Sequence, residues 1–280
     1  VDEVEFFDLY RQDRWPHIFC PGCGIGTVMN IFYRAFDELG LKLDDCVYVA
    51  GIGCSSRIIG YIRGDSIHTT HGRPLAVATG IALSNPKLKV IVFTGDGDLG
   101  AIGGNHFIHA CRRNADFTVF CINNNIYGMT GGQASSCTPH GAVSTTTPYG
   151  NREYPFDLAE LAVTAGANYV ARWTVRNVKE LIRSMKKAIL KEGFSFVEIA
   201  SPCPTAFGRR NKMPTAKQLH QWLEIKSVRR EKTRELGLDP VDINYEGNIT
   251  IGEFVERDRN PLRMVYGIGD ESIVARSEGK

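Results

Sequence analysis

The chain has 280 residues, 43% hydrophobic and 23% charged, which suits a globular protein of one large domain, or one domain with a terminal extension. A net charge of +2 excludes an overall nucleic-acid or membrane-surface binder. No apolar run approaches the ~20 residues needed to span a bilayer, and the opening VDEVEFFDLYRQDRW is too acidic and polar for a signal peptide, so the expected location is cytoplasmic.

In chain order, Cys20-Pro21-Gly22-Cys23-Gly24 precedes a helix expected over 26–39. Strands are expected at Cys46–Ala50, 89–93, 117–122, 168–171 and 194–199, and further helices over 73–83, 101–112, 158–165 and 176–191. The strand runs are almost wholly apolar, as parallel strands buried on both faces are. Repeated βα units imply a doubly wound, mostly parallel α/β domain with its ligands beyond the carboxyl ends of the strands. After residue 202 the character changes: Arg209, Arg210, Lys212, Lys217, Lys226, Arg229, Arg230, Lys232 and Arg234 crowd one stretch, with Leu219, Trp222, Leu223 and Val228 at roughly helical spacing. That reads as a solvated helix with one buried stripe, or an arm that packs on a partner. No interleaved aromatics accompany the charge, as a nucleic-acid platform would require. The division expected is a core of residues 1–205 and a C-terminal extension of 206–280, packing on the core or on a partner subunit.

The segment 95–133 carries most chemical information. Strand 89–93 ends in Thr94-Gly95-Asp96-Gly97-Asp98 and a helix, so glycines let the main chain approach a ligand and the helix start offers N–H groups to a phosphate. Directly after the next strand comes Asn123-Asn124-Asn125. Two neighbouring loops thus bring a carboxylate and a carboxamide to one sheet edge, a suitable oxygen set for Mg²⁺ with phosphate oxygens. The Gly-Asp-Gly turn alone would be a tight strand–helix turn as readily as a site.

Eight cysteines are too dilute for a secreted disulfide scaffold and point to metal binding or buried thiols. Cys20 and Cys23 form a CxxC, Cys54 follows a strand in Gly53-Cys54-Ser55-Ser56, and Cys203 follows the last strand in Ser201-Pro202-Cys203-Pro204. Four thiolates are what a [4Fe–4S] cluster needs, although a CxxC alone fits zinc or a thioredoxin-like redox pair equally. Cys46, Cys111 and Cys121 read as small core residues. Cys137, in the polar loop GGQASSCTPHG, rivals Cys203 as a ligand.

Gly-Asp-Gly followed at this distance by Asn-Asn resembles the thiamine-diphosphate signature. The continuation Tyr127-Gly128-Met129-Thr130-Gly131-Gly132-Gln133, with WPHIFCPGCGIGT, GIGCSSR and SPCP, resembles the β subunit of 2-oxoacid:ferredoxin oxidoreductases, of the 2-oxoglutarate type. The resemblance covers residues 15–210 well. It implies the diphosphate-type domain of the thiamine diphosphate-binding fold, with Asp96, Asn124 and the carbonyl of Ile126 holding Mg²⁺. It implies that Gly53, Cys54, Ser55, His71, Gly95, Gly97, Asp98, Tyr127, Gly128 and Thr130 bind the cofactor, and that Cys20, Cys23, Cys54 and Cys203, rather than Cys137, carry one [4Fe–4S] cluster. Ile67-His68-Thr69-Thr70-His71-Gly72-Arg73 resembles the family's segment near the thiazolium, which gives His71 a catalytic role; His68 reads as a surface or structural residue. Arg57, three residues past Cys54, suits a substrate carboxylate, as in the dicarboxylate 2-oxoglutarate.

The activity implied is reversible, coenzyme A-dependent oxidative decarboxylation of a 2-oxoacid to acyl-CoA and CO₂, with electrons passing through the cluster to ferredoxin. The acid carboxylate for the aminopyrimidine would come from a second α/β domain on an α subunit, in an αβ or α2β2 assembly. Two rival readings are a non-oxidative thiamine diphosphate-dependent decarboxylase or lyase, and a zinc-stabilised binding protein with a degenerate cofactor fold.

Overall fold

The computed structural model describes residues 6–235, 237, 239 and 247–268. Five apolar stretches form the middle of one sheet: β1 (Cys46–Ala50), β3 (Lys89–Gly95), β4 (Thr118–Asn123), β7 (Tyr169–Thr174) and β8 (Ser195–Ala200). They lack polar alternation because both faces are covered. Tyr48, Phe93, Phe120, Val197 and Ile199 face a core with α1 (Ile25–Leu39) and α5 (Val178–Leu190). Their neighbours Val49, Val92, Val119 and Phe196 face a second core with α2 (Pro74–Ser84), α3 (Gly104–Arg113) and α4 (Leu158–Ala165). Phe32 of α1 meets Phe93 edge-on at 5.1 Å, tying the first helix to the central strand.

Among the described residues the sheet has eight strands, in the order β2-β1-β3-β4-β8-β7-β10-β9. The edge strand β2 (Asp65–His68) is exposed throughout and pairs in parallel with β1. At the other end β10 (Ile249–Glu256) runs antiparallel to β7 and carries β9 (Ser227–Arg229) beside it. The stretch expected as an extension therefore contributes to the main sheet. Its basic segment forms α6 (Ala216–Lys226), opened by a capping box between Thr215 and Gln218, with Leu219 and Leu223 buried. Val228 departs from the expected helical stripe and lies in β9. A short α7 (Arg230–Glu235) follows, and α8 (Leu262–Val265) lies near the end of the described chain. Residues of the expected extension at 236, 238, 240–246 and 269–280, and the side chain of Arg234, lie outside the described residues.

The helix expected over 101–112 is interrupted. A wide helical turn over Gly97–Ile102 leads to Gly103, and α3 begins only at Gly104. A Cβ on Gly103 would collide with the main-chain oxygen of Asp98, so the turn packs more closely than a side chain permits.

Candidate active site

The carboxyl ends of β1, β3 and β4 open on a cavity of about 220 Å³. β1 delivers the turn 51–55, β3 delivers Gly95 to Asp98, β4 delivers Asn124 to Thr130, and the loop before α2 adds His71. All 13 residues expected at the cofactor (Gly53, Cys54, Ser55, His71, Gly95, Asp96, Gly97, Asp98, Asn124, Ile126, Tyr127, Gly128 and Thr130) line it, together with Ile52 and Met129. The last two adjoin Gly53 and Gly128, and contiguity with those motifs is the signal that would have found them.

The two aspartates of the Gly-Asp-Gly-Asp turn do different things. Asp96 is 2% exposed and accepts hydrogen bonds from the Asn124 N–H at 3.3 Å and from the Ser135 hydroxyl. Burial pushes its carboxyl up to about 6, partly offset by those donors, and Glu198 adds a like charge. No described Lys or Arg pairs with it. A buried carboxylate with an amide side chain beside it and no counter-cation is a donor set that fits Mg²⁺. The Asn124 carboxamide oxygen accepts from the Ile126 N–H at 3.3 Å, which holds the tight turn. Ser135 was not apparent as a site residue, because its approach to Asp96 spans 39 positions and no pattern in its own loop announces it.

Asp98 instead ties the walls together. It accepts the N–H groups of Gly72 at 2.7 Å and Ile52 at 3.2 Å and the hydroxyl of Thr94 at 2.7 Å, and His71 Nδ1 stands 2.7 Å away. Any Cβ on Gly51 would strike this carboxylate. His71 Nδ1 thus stands against Asp98 without an aligned hydrogen bond, and Nε2 is the ring's other nitrogen. Tyr127 closes the far side, its hydroxyl donating to the Gly97 carbonyl at 3.1 Å and its ring 5.9 Å from that of His71. A Cβ on Gly97 would strike that ring. Burial, with Asp96 and Asp98 nearby, raises the phenol of Tyr127.

Behind Gly128 lie the thiols. A Cβ built on that glycine would sit 3.6 Å from Cys54 Sγ, 3.7 Å from Cys203 Sγ and 3.8 Å from Asn124 Nδ2, so two cysteines and the cofactor loop share one wall. The Cys20–Cys23 turn is closed by the Cys23 N–H donating to the Cys20 carbonyl at 2.9 Å, and Gly22, at φ 77°, packs against Ala216 and Pro204. Burial first, with Cys203 and Cys20 adding to it, raises Cys23 to about 12 and Cys54 to about 11. Without metal Cys23 and Cys54 hold their protons, and a metal would displace them. Among the described residues no three His, Cys, Asp or Glu stand close enough to share one ion. A cubane places each thiolate on a different iron, so its ligands surround a volume rather than a point. Cys137 is elsewhere: it is buried in the core beneath α3 and α4, and its thiol is raised by burial, Asp96 and Glu198. Cys46, Cys111 and Cys121 are fully buried in the two cores.

Arg57 does not line the cavity. It is exposed on the turn Ser55–Gly60, which starts at the cavity wall. Farther along the sheet, Arg172 is buried between Asp157 and Glu198, and the other oxygen of Glu198 accepts from Asn123 Nδ2 at 2.8 Å.

Residues 51–199 match the family described as thiamine pyrophosphate enzyme, C-terminal TPP binding domain, which defines the class of cofactor that the fold takes. The chain is 51% identical to the 2-oxoglutarate synthase subunit KorB of Methanothermobacter marburgensis over 272 residues, 97% of this chain and 94% of the relative. It is 40% identical to subunit beta of 2-oxoacid:ferredoxin oxidoreductase 2 from Aeropyrum pernix, covering 92% of this chain and 82% of the relative. Among solved structures, the 2-oxoglutarate:ferredoxin oxidoreductase of Magnetococcus marinus, with 2-oxoglutarate, coenzyme A and succinyl-CoA bound, superposes with a TM-score of 0.82 at 32% identity, covering 100% of this chain and 97% of that one. The chain belongs to the β subunits of the 2-oxoacid:ferredoxin oxidoreductase family. Among its described residues no helix is long and apolar enough to cross a membrane.

Proposed function

We propose that this β subunit, assembled with an α subunit in the cytoplasm, carries out coenzyme A-dependent oxidative decarboxylation of 2-oxoglutarate to succinyl-CoA and CO₂, reversibly, and passes the electrons to ferredoxin. The observation that carries this reading is the common wall at Gly128, where Cys54, Cys203 and the Asn124 amide converge. An electron released in the cavity would have only that wall to cross.

Asp96, Asn124 and the Ile126 carbonyl would hold Mg²⁺, and Thr130 and the glycine turn would take the diphosphate. Cys20, Cys23, Cys54 and Cys203 would hold one [4Fe–4S] cluster. Thiamine diphosphate, when bound, supplies the electron sink for loss of CO₂, and the cluster a one-electron path. Met129 and Ile52 add exposed apolar surface to the cavity lining. His71, whose Nδ1 stands against Asp98 in the cavity wall, would offer Nε2 to a substrate oxygen. Arg57 is exposed and has no carboxylate partner among the described residues, so its guanidinium is available to the distal carboxylate of a dicarboxylic oxoacid. The relatives named for 2-oxoglutarate support that choice of substrate.

The test is an anaerobic assay of the assembled complex against a panel of oxoacids, with and without Arg57→Leu. We expect the unsubstituted enzyme to prefer 2-oxoglutarate, and the variant to lose about a hundredfold in kcat/KM for it while pyruvate changes little. Equal losses on both substrates in a properly assembled complex would refute the role of Arg57. A preference for pyruvate in the unsubstituted enzyme would refute the substrate.

A further inference from the structure

The four clustered cysteines lie in three stretches, 14–36, 46–64 and 199–223, each running from one acidic residue to the next. Together these hold eight of the chain's 33 Lys and Arg and none of its 31 Asp and Glu, so the remainder has 25 basic against 31 acidic residues. A nearly neutral chain is thus divided: these stretches carry basic residues at the same density as the rest but no acidic ones, so their net charge is positive.

The fold brings the charge to the surface beside them. Gly22, inside the CxxC, packs on Pro204 and Ala216. From Cys203 the backbone winds tightly, the Gly208 N–H donating to the Cys203 carbonyl at 2.9 Å and the Arg209 N–H to that of Pro204 at 3.2 Å. Arg209 and Lys212 therefore leave the surface within two turns of one thiol, and Lys217 follows the alanine that touches the CxxC. All three are exposed, and none has a carboxylate partner among the described residues. The contrast with the opposite end of the sheet is plain. There Lys187 meets Glu253 at 2.9 Å, Lys191 meets Asp258 at 2.7 Å and Arg263 meets Asp116 at 2.6 Å. Cys20 itself is exposed.

We propose that the face around Cys20 is the docking surface for a small electron-carrier protein with an acidic surface, steered there by Arg209, Lys212 and Lys217. The inference rests on the [4Fe–4S] reading above and adds the exit to it. Each encounter moves one electron from the reduced cluster to the oxidised carrier, and two encounters match the two electrons released with each CO₂. Unpaired cations raise the encounter rate with an acidic partner, and the absence of acids from these three stretches lessens repulsion on the approach.

The test uses the assembled enzyme, an acidic bacterial ferredoxin as probe, and a chain carrying Arg209→Glu, Lys212→Glu and Lys217→Glu together. At low ionic strength the ferredoxin KM is expected to rise about tenfold or more, and the difference is expected to collapse at high salt, where charges are screened. Reduction of an uncharged quinone and the cluster's electron paramagnetic resonance signal should be unchanged. An unaltered ferredoxin KM, or a salt-independent one in the unsubstituted enzyme, overturns the proposal. Failure of the variant to join its partner subunits, with its cluster intact, overturns it too, because the face would then be a subunit interface. An unsubstituted enzyme without a cluster signal would sink the cluster assignment first, and this surface as an electron exit with it.

Discussion

Two buried charge centres lie on the same sheet, and they are completed in opposite ways. Arg172 donates to Glu198 at 2.8 Å, pairs with Asp157, reaches the Thr250 carbonyl at 3.3 Å and lies 5.2 Å from the Phe254 ring. Burial works against its charge, but the two carboxylates outweigh it and the guanidinium stays protonated. Asp96, equally buried, has a hydroxyl and an amide N–H but no cation among the described residues. A charge that the fold has neutralised is a fastener. One left without a counter-charge, at the mouth of a cavity, marks where an external cation completes the structure.

Experiments can break or sharpen that contrast, and the largest effect should fall on the four cysteines proposed to hold the cluster, a second place that an external group would complete. Cys203→Ala should abolish the cluster signal seen by electron paramagnetic resonance after reduction, and Cys137→Ala should leave it intact; the reverse result would make Cys137 the ligand. Next comes Arg172→Leu. It leaves Asp157 and Glu198 buried without their cation and should cost ~3–5 kcal/mol in urea denaturation. A loss under about 1 kcal/mol would show that the centre is no fastener. Asp96→Ala should then lower Mg²⁺-dependent affinity for thiamine diphosphate about a hundredfold with the fold intact, as read by calorimetry.

The smallest effect concerns the protein free of metal and cofactor. The carboxyl of Asp96 is raised from the usual 3.8 to about 6, so between those values the native chain holds a proton that the unfolded chain has released. The stability tied to that neutral form is present at low pH and is lost as pH rises through 6. Asp96→Asn removes the charge, and should stabilise the metal-free protein at pH 7 by on the order of 1–3 kcal/mol while flattening this part of its pH profile. An unchanged melting temperature would mean that the buried carboxylate already has a compensating charge.

The parts of the fold that could be read from sequence are those where one face of a residue decides its type. β1, β3, β4, β7 and β8 are buried on both sides, so they appear as mostly apolar runs, broken inside β7 and β8 by the mutually paired Arg172 and Glu198. β2, with the sequence DSIH, is exposed on both sides and is held by backbone pairing to β1 alone, which leaves no trace in residue type. β10 does alternate, as ITIGEFVE, but it follows a strongly charged stretch that reads as an arm. At the site, the residues given by local motifs line the cavity, because a strand end and its loop deliver consecutive residues to one place. What could not be read is the set of through-space partners. Ser135 on Asp96, His71 on Asp98, and Glu198 between Arg172 and Asn123 each join residues more than twenty positions apart. Arg57 shows the limit from the other side: three positions past a lining cysteine, the turn has already carried the side chain out of the wall.

The antiparallel strand next to the edge of the sheet has a consequence for synthesis. β7 is made some 75 residues before β10, its neighbour on the open side (Thr174 against Ile249). Until then a growing chain presents β7 to the surroundings as a bare template for any other strand, the situation that leads to intermolecular pairing. Arg172 meanwhile waits for the carbonyl of Thr250 and the ring of Phe254, neither yet translated. A chain released near residue 205 would keep every cofactor residue named above and still be an aggregation hazard. β10 thus acts as a seal, making the emerging polypeptide safe only once that strand has been made and paired.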